Sequence, residues 1–144
     1  MNHQIISQDM TVTTCRVHSA IKRKMAEEKN FENRIKRYLK DKSCWYLKYW
    51  SGGGFTKSGI PDLLICCKGH FIGCEVKASN GKPSALQLAE LRKIREAGGI
   101  GILLYPKDFD LFKNMIDAFC DGDEFLADIN RIMLEERIHE IKLE

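Results

Sequence analysis

The fold of this chain is decided by Gly59-Ile60-Pro61-Asp62-Leu63-Leu64-Ile65 and, after a short turn, by Cys74-Glu75-Val76-Lys77. The apolar runs at residues 63–67 and 71–76 have the length and composition of β-strands. Lys68-Gly69 between them has the length of a two-residue hairpin turn, in which glycine supplies a positive φ. The sequence therefore predicts an antiparallel hairpin whose register is set by that turn.

The position of the turn determines which side chains face each other. If the turn is centred between Lys68 and Gly69, Asp62 lies opposite Glu75, with Cβ atoms about 4.5–5.5 Å apart. Lys77 shares that face because side chains alternate along a strand. Two opposed carboxylates repel each other unless a cation lies between them. The spacing thus predicts a cation site.

The same charged residues also have an ordinary structural explanation. Asp62 follows a proline and would suit a turn, and Glu75 and Lys77 would suit the solvent face of an edge strand. However, both runs are apolar at consecutive positions, as strands covered on both faces are. Charges at the ends of such strands need a reason, and we therefore favour the metal site.

The remaining segments predict an α/β domain. Apolar residues recur at helical spacing in four segments, and aromatic or branched residues dominate two others. The expected elements are helices over residues 26–41, 83–97, 108–119 and 124–141 and strands over residues 44–50 and 100–105. Asn30 is one N-cap candidate for the first helix. A strand-helix-strand connection favours parallel pairing, so we expect the order α-β-β-β-α-β, a mixed sheet flanked by helices and followed by C-terminal helices.

One domain is expected from a length of 144 residues. We divide it into an N-terminal extension over residues 1–25, partly helical, a core over residues 26–120, and an acidic C-terminal helix over residues 121–144 that packs on the same domain. The six cysteines form no Cys-x-x-Cys pair and no zinc-finger spacing with histidine, so we expect reduced, buried thiols. The chain begins without an apolar leader and has no run of about 18 apolar residues, which predicts a cytoplasmic protein.

Charge is distributed unevenly along the sequence. The net charge is only +3, but residues 16–57 carry 12 basic and 4 acidic side chains, whereas residues 108–144 carry 4 basic and 11 acidic ones. A basic half beside a carboxylate site suits a polyanionic substrate, because Lys and Arg neutralise phosphates. Two solvated helix faces of opposite sign, able to dock on each other, explain the asymmetry equally well. Charge alone therefore does not indicate nucleic acid.

The segment at residues 51–59, SGGGFTKSG, is expected to be a flexible loop. Its glycines form neither a G-x-G-x-x-G nor a Walker pattern, which argues against a nucleotide-phosphate cradle. A glycine-rich backbone lets DNA approach closely, and Lys57 and Ser58 are candidate phosphate contacts just before Asp62, with Lys82 as a third. A plain mobile connector is the alternative.

Three motifs, in their order and spacing, resemble the PD-(D/E)XK nuclease superfamily. They are Ile60-Pro61-Asp62, Glu75-Val76-Lys77 and Gln87 in the helix that follows. Residues 59–63 and Gly98-Gly99 make the chain similar in particular to the VRR-NUC family, whose small stand-alone versions are typical of phages and bacteria. The similarity runs from about Phe31 to Tyr105, and nothing similar is evident in residues 1–25 or from Glu124 onward.

This resemblance implies a restriction-endonuclease-like core that binds Mg²⁺, with Mn²⁺ as a substitute. The implied metal ligands are Glu32, Asp62, Glu75 and the backbone carbonyl of Val76. Glu32 would act directly or through water. Lys77 would hold the attacking water or stabilise the phosphate. Gln87 would orient the nucleophile or the substrate.

The implied function is a divalent-metal-dependent DNA endonuclease that hydrolyses phosphodiester bonds in branched, flap or junction DNA, or that nicks, as in relatives resembling Holliday-junction resolvases. A homodimer, joined through the tail helix or the aromatic strand with Trp45, Tyr46 and Trp50, would place two active sites on two strands. No histidine lies close to the motifs in sequence, which disfavours a histidine-based mechanism. Two alternatives stay open: a non-catalytic DNA-binding module of a recombination or repair complex, and a structural protein whose acidic tail binds a basic partner.

Overall fold

A computed structural model of the chain describes residues 4–141, with the side chains of Met10 and of residues 12–141. The elements, in chain order, are α1 (Gln4–Asp41), β1 (Trp45–Lys48), β2 (Leu63–Cys67), β3 (His70–Val76), α2 (Ala85–Glu96), β4 (Ile100–Leu104), a 3₁₀ turn (Pro106–Asp108), α3 (Phe109–Asp121) and α4 (Glu124–Glu136). This order confirms the predicted α-β-β-β-α-β core followed by C-terminal helices.

The four strands form one mixed sheet in the order β1-β2-β3-β4. β2 is antiparallel to both of its neighbours, and β4 runs parallel to β3, as the predicted crossover requires. Leu63 faces Cys74 across the hairpin, so the predicted register is confirmed. Lys68 (φ 50°) and Gly69 (φ 87°) both have the positive φ that a type I′ turn needs.

The first helix is much longer than predicted. It begins at Gln4, the first residue that the structure describes, and not near residue 26, so Asn30 lies inside the helix and is not its N-cap. The reason is that residues 1–50 contain no glycine or proline, and residues 16–30 are rich in the good helix formers Ala, Lys, Arg, Met and Glu. The expected extension is therefore continuous, from Gln4, with the helix that enters the core at Phe31.

Helices cover the sheet on both faces. On one face, α1, α3 and α4 form a single apolar core with the strand residues that point toward them. Fully buried members of this core are Ile35, Leu39, Ile65, Ile72, Ile102, Phe112 and Ile116. On the other face, α2 packs closely over Gly73 and its cross-strand neighbour Gly101, where an added Cβ would lie 2.4 Å from the carbonyl oxygen of Leu91. This close packing positions α2 above the end of β3.

The two C-terminal helices pack against each other. α3 ends at Gly122, which has a left-handed φ of 76°, and Asp123 caps α4 by accepting a hydrogen bond from the N–H of Leu126 at 3.0 Å. α4 buries Ala127 and Leu134 but ends at Glu136, earlier than expected. Among the described residues, none of the helices combines the length and the apolar character needed to cross a bilayer.

All six cysteines are free thiols, but two of them are exposed, which corrects the expectation that they are buried. Cys15 lies on the part of α1 that precedes the core. Cys66 points to the face of the sheet opposite Cys67. It is exposed there because α2 covers that face mainly over β3 and β4.

Candidate active site

The hairpin brings Asp62 and Glu75 to one end of the sheet. Asp62 directly precedes β2, and the register extended by one residue places it opposite Glu75. Its backbone is fixed by the N–H of Tyr49, which donates to the Asp62 carbonyl at 2.9 Å. Its side-chain Oδ2 accepts a hydrogen bond from the N–H of Val76 at 3.0 Å. The two carboxylates are thus neighbours, as the turn predicted.

Glu75 is buried and only partly satisfied. It is 1% exposed, and its Oε1 receives the Lys77 ammonium at 2.8 Å and a hydrogen bond from the side-chain amide of Gln87. Its Oε2 is buried and has no partner within the described chain. Burial first, and the charge of Asp62 second, raise the pKa of Glu75 to about 7 although Lys77 opposes the shift. A positive charge in addition to that of Lys77 would therefore favour the ionised form of Glu75.

Glu32 joins the site from α1 through a lysine on β1. The Nζ of Lys48 lies 2.6 Å from Oε2 of Glu32 and 3.1 Å from Oδ1 of Asp62, so one ammonium serves both carboxylates. Lys36, one turn further along α1, contacts the other oxygen of Glu32 at 2.5 Å. Lys48 was not among the residues predicted for this site.

Gln87 is held in place by the start of α2. Ser84 is the N-cap, its N–H donates to Oε1 of Gln87 at 2.8 Å, and its Oγ accepts from the N–H of Gln87 at 3.2 Å. This capping box uses the amide oxygen, which leaves the amide nitrogen to donate to Glu75. The helix therefore begins at Ala85, two residues after the expected Pro83, and its cap fixes the orientation of Gln87.

Lys77 directly follows β3, and both its backbone N–H and its side-chain ammonium have partners. Its N–H donates to the carbonyl of Leu104 at 3.0 Å, and its side chain is only 12% exposed. Burial lowers the pKa of Lys77, but the charges of Glu75, Glu28 and Asp62 outweigh it, so the net shift is upward. Lys77 is accordingly a permanent cation beside Glu75.

The acidic residues of α1 also anchor the turn after Lys77. A carboxylate oxygen of Glu28 accepts from the N–H of Ala78 at 3.3 Å, and one of Glu27 accepts from the N–H of Ser79 at 2.9 Å and from its hydroxyl. These contacts tie α1 to the chain next to the candidate site. They explain why Glu32, four or five residues further along the same helix, is presented to that site.

Comparison with known proteins identifies the family. The model of the archaeal Holliday junction resolvase family (Hjc) matches residues 23–99, which is more than half of the chain. The chain belongs to this family. Hjc proteins are nucleases of the PD-(D/E)XK superfamily, and they generally use divalent metal ions. Proteins of this family act on Holliday junctions, which implies that they bind branched DNA. Neither the curated proteins nor the solved structures that were compared gave a match.

The resolvase match includes every candidate residue of the carboxylate cluster. We define the carboxylate cluster as Glu32, Asp62, Glu75, Lys77 and Gln87, together with Lys48. Five of these six residues were predicted from the sequence. Lys48 was missed because the alternation of side chains along β1 does not show which of them points toward the end of the hairpin that carries Asp62.

The oxygen donors of the carboxylate cluster are of the type that a hard divalent ion prefers, although those of Glu32, Asp62 and Glu75 do not form a group within 4.8 Å of one another among the described residues. Carboxylate and carbonyl oxygens suit Mg²⁺ and Mn²⁺, and the unpartnered buried Oε2 of Glu75, together with the second carboxylate opposite it, favours an ion there. The N–H of Val76 points at Asp62, and the N–H and C=O of one strand residue point to the same edge. The Val76 carbonyl therefore faces the carboxylate cluster.

The predicted DNA contacts of the chain lie outside the carboxylate cluster. The Nζ of Lys57 pairs with Oε2 of Glu90 on α2 at 3.0 Å, and Ser58 is exposed. Lys82 is exposed too, on a groove of about 490 Å³ that begins two residues after Lys77. Phe55, in the same loop as Lys57 and fully exposed, was not predicted as a contact.

Proposed function

We propose that the chain is a divalent-metal-dependent endonuclease that hydrolyses phosphodiester bonds in branched DNA, four-way junctions above all, at the carboxylate cluster. Membership of the resolvase family supports the substrate class. The single observation that carries the chemistry is buried Glu75, with one oxygen unpartnered, between Asp62 and the ammonium of Lys77. Asp108 and Glu135, each paired with an arginine, also leave a buried oxygen without a partner, but of these three only Glu75 has a second carboxylate, Asp62, opposite it across the hairpin.

The metal is proposed to be Mg²⁺, with Mn²⁺ as a substitute. Asp62, Glu75 and the Val76 carbonyl would hold it, and Glu32 would contribute directly or through water. When bound, such an ion neutralises charge on the scissile phosphate and lowers the pKa of a coordinated water. Its charge also offsets the burial that raises the pKa of Glu75.

The chain's own residues are proposed to orient the reacting groups. Lys77 keeps its proton and contacts Oε1 of Glu75, where it can hold the attacking water or stabilise a non-bridging phosphate oxygen. Gln87 fixes the Oε1 edge of Glu75 through its amide. The free Oε2 edge of the same carboxylate is then the one left for the metal.

The DNA is proposed to cross the surface on both sides of the cluster. On one side, the loop with Lys57, Ser58 and exposed Phe55 can contact phosphates and stack on an unpaired base. On the other side, the groove that follows Lys77 is lined by three basic residues, which are Lys82, Lys107 and Arg137. Branched DNA supplies the unstacked bases that a loop aromatic needs.

A homodimer is proposed for paired cutting of two strands. Two exposed apolar surfaces support it: the outer stripe of α4, with Phe125 78% exposed, and the edge strand β1, with Trp45 59% exposed. Sedimentation at micromolar concentration should give a dimer that Phe125→Asp or Trp45→Asp dissociates. A monomer throughout would remove paired cutting. The narrower likeness to VRR-NUC proteins and a bacterial or phage-infected cytoplasm stay predictions.

Cleavage of a DNA panel tests the proposal. Supercoiled plasmid, linear duplex, flap, four-way junction and single strand are incubated with Mg²⁺, Mn²⁺ or EDTA, using Glu75→Gln as the matched control. We expect metal-dependent cutting of the junction that the variant loses. Junction binding without cutting under every metal condition would support the accessory DNA-binding module instead, with Lys48 and Lys77 acting only as counter-ions of the carboxylates.

A further inference from the structure

Three cysteines that are distant in sequence meet at the far end of the sheet. Cys44 lies between α1 and β1, Cys67 ends β2, and Cys120 lies in the last turn of α3. Their Sγ atoms all lie within 4.8 Å of one another. Within the described part of the chain, no other three donor atoms of His, Cys, Asp or Glu side chains form so close a group. We call these residues the thiol cluster.

Packing alone explains burial but not this convergence. Cys74 is 0% exposed and serves as a small apolar core residue outside any such group. The thiol cluster instead draws its sulfurs from three separate parts of the chain, which are the α1–β1 connection, the end of β2 and the last turn of α3. It is also independent of the carboxylate cluster, because Cys67 and Asp62 are separated by the length of β2, about 17 Å for five residues.

We propose that the thiol cluster binds one thiophilic divalent ion, Zn²⁺ or an ion of similar softness. Thiolates select soft ions, whereas the carboxylate cluster presents hard oxygens, so the two sites take different metals. Binding releases three thiol protons to solvent and forms three metal–sulfur bonds without any change of oxidation state. The proposal does not rest on the nuclease function.

The sulfur positions are close to those that a metal needs. Three sulfurs each about 2.3 Å from a tetrahedral Zn²⁺ lie about 3.8 Å apart, so contraction from separations of up to 4.8 Å is a shift of about 1 Å or less. All three sit at the ends of packed elements, which holds them near this geometry. Side-chain rotation at half-buried Cys120 is the simplest way to close the remaining gap.

The surroundings allow entry of the ion and compensate its charge. Cys44 and Cys67 are buried, but Cys120 is only half-buried and gives a path from solvent. A divalent ion with three thiolates carries one net negative charge, and Lys68, next to Cys67, is a neighbouring cation. His70 faces Cys67 across the hairpin, but its ring stacks on Phe119 and its Nε2 lies 3.3 Å from Glu124. The fourth position is therefore assigned to water.

Titration with Co²⁺ tests the site without any measurement of nuclease activity. The full-length chain is reduced with a phosphine, stripped of metal and titrated in excess Mg²⁺, which occupies the hard oxygen ligands. We expect a sulfur-to-cobalt charge-transfer band that saturates at one Co²⁺ per chain and disappears when Zn²⁺ displaces it. A folded wild-type protein that shows no such band would overturn the proposal.

Paired cysteine variants identify the ligands. Cys120→Ser, chosen because a half-buried position tolerates the hydroxyl, should weaken binding by more than the 10–100-fold typical of losing an outer partner of a ligand. Cys66→Ser, beside Cys67 but on the exposed face, should bind like the wild type. Asp62→Asn should keep the band, which separates this site from the nuclease site. An unchanged band in folded Cys120→Ser, or loss in Cys66→Ser, contradicts the assignment.

Thermal unfolding gives a second measurement. Zn²⁺ bound only to the folded chain should raise the Tm of the wild type and of Cys66→Ser, because it ties α1, the hairpin and α3 together. The Tm of Cys120→Ser should not respond. A Zn²⁺-induced shift of the same size in all three proteins would place the ion elsewhere.

Discussion

The Nζ of Lys48 lies 2.6 Å from Oε2 of Glu32, a contact that joins the edge strand β1 to the first helix. The same ammonium is 3.1 Å from Oδ1 of Asp62. Burial raises the pKa of Glu32, but hydrogen bonds from Lys36 and Lys48 outweigh it, so the net shift is downward. β1 therefore contributes a shared cation to the carboxylate cluster as well as an edge to the sheet.

Replacing Lys48 by Met should destabilise the metal-free protein and make it depend more on Mg²⁺. The variant leaves Glu32 and Asp62 without their shared cation. Since Lys48 is half-exposed, we expect a loss of about 0.5–1 kcal/mol in the free energy of unfolding. Urea unfolding with and without Mg²⁺ measures it. Mg²⁺ should restore more stability to Lys48→Met than to the wild type or to Lys40→Met, an exposed α1 control. Equal restoration in all three would contradict a shared site.

The raised pKa of Glu75 predicts that the contribution of this side chain to stability falls as pH rises. The side chain ionises near pH 4.5 in the unfolded chain but near pH 7 in the folded one. Between these values the folded state binds more protons, so its advantage is complete below about pH 4.5 and is lost as pH rises through about 7. The loss should be on the order of 1–3 kcal/mol. Urea unfolding between these pH values measures it.

Glu75→Gln is the matched control for this pH dependence. It keeps the shape of the side chain but cannot ionise, so the difference in stability between variant and wild type should grow with pH. Mg²⁺ should reduce that difference by favouring the ionised carboxylate of the wild type. A difference that stays constant from pH 4.5 to 8 would mean that Glu75 titrates normally.

The hairpin was predictable because its register has few degrees of freedom. Once Lys68-Gly69 is recognised as the turn, every cross-strand pair follows, including Asp62 opposite Glu75. Fold class followed from the same logic, since a strand-helix-strand unit next to a hairpin gives a mixed sheet. The residues of the turn and of the two strands next to it thus determine the register that brings Asp62 and Glu75 together.

Longer-range features were not predictable from periodicity. The start of α1 was misplaced because the apolar stripe begins only at Phe31, whereas the exposed half of the helix is specified by propensity alone. The thiol cluster joins three parts of the chain whose relative placement no sequence spacing reveals. Tertiary packing determines that convergence of the three thiols.

Replacing Lys77 by Met should abolish cleavage while preserving the fold and junction binding. Its ammonium is 2.8 Å from Glu75 and can act directly on the phosphate or the attacking water. Loss of such a positioned charge should lower the cleavage rate by at least about 10²-fold. Single-turnover cleavage of a junction in saturating Mg²⁺ measures it, with Lys82→Met expected to lose less than about tenfold. A wild-type rate in Lys77→Met would remove its proposed role.

Replacing Asp62 by Asn should abolish divalent-metal binding as well as cleavage. The amide keeps one acceptor for the N–H of Val76, so the strand end should stay intact. It removes the negative charge that a hard cation requires. Calorimetric titration with Mn²⁺ measures the affinity, and circular dichroism checks the fold. Unchanged Mn²⁺ affinity would move the metal site away from the carboxylate cluster.

Gln87 has two functions that a pair of substitutions can separate. Its amide oxygen completes the cap of α2 and its amide nitrogen donates to Glu75. Gln87→Glu keeps an acceptor for the N–H of Ser84, because Glu also serves in a capping box, but it places a second carboxylate beside Glu75. We expect a stable helix, a further rise in the pKa of Glu75, and cleavage that is slower and shifted to higher pH.

Ser84→Ala is the reciprocal variant. It should lose about 1 kcal/mol of stability with the cap oxygen, yet keep the contact between Gln87 and Glu75 and hence the wild-type pH profile of cleavage. Urea unfolding and pH–rate profiles of both variants measure the two effects. If the pH profile moved with the loss of stability in both proteins, Gln87 would act only by holding the helix. A shift confined to Gln87→Glu would show that its amide tunes the carboxylate itself.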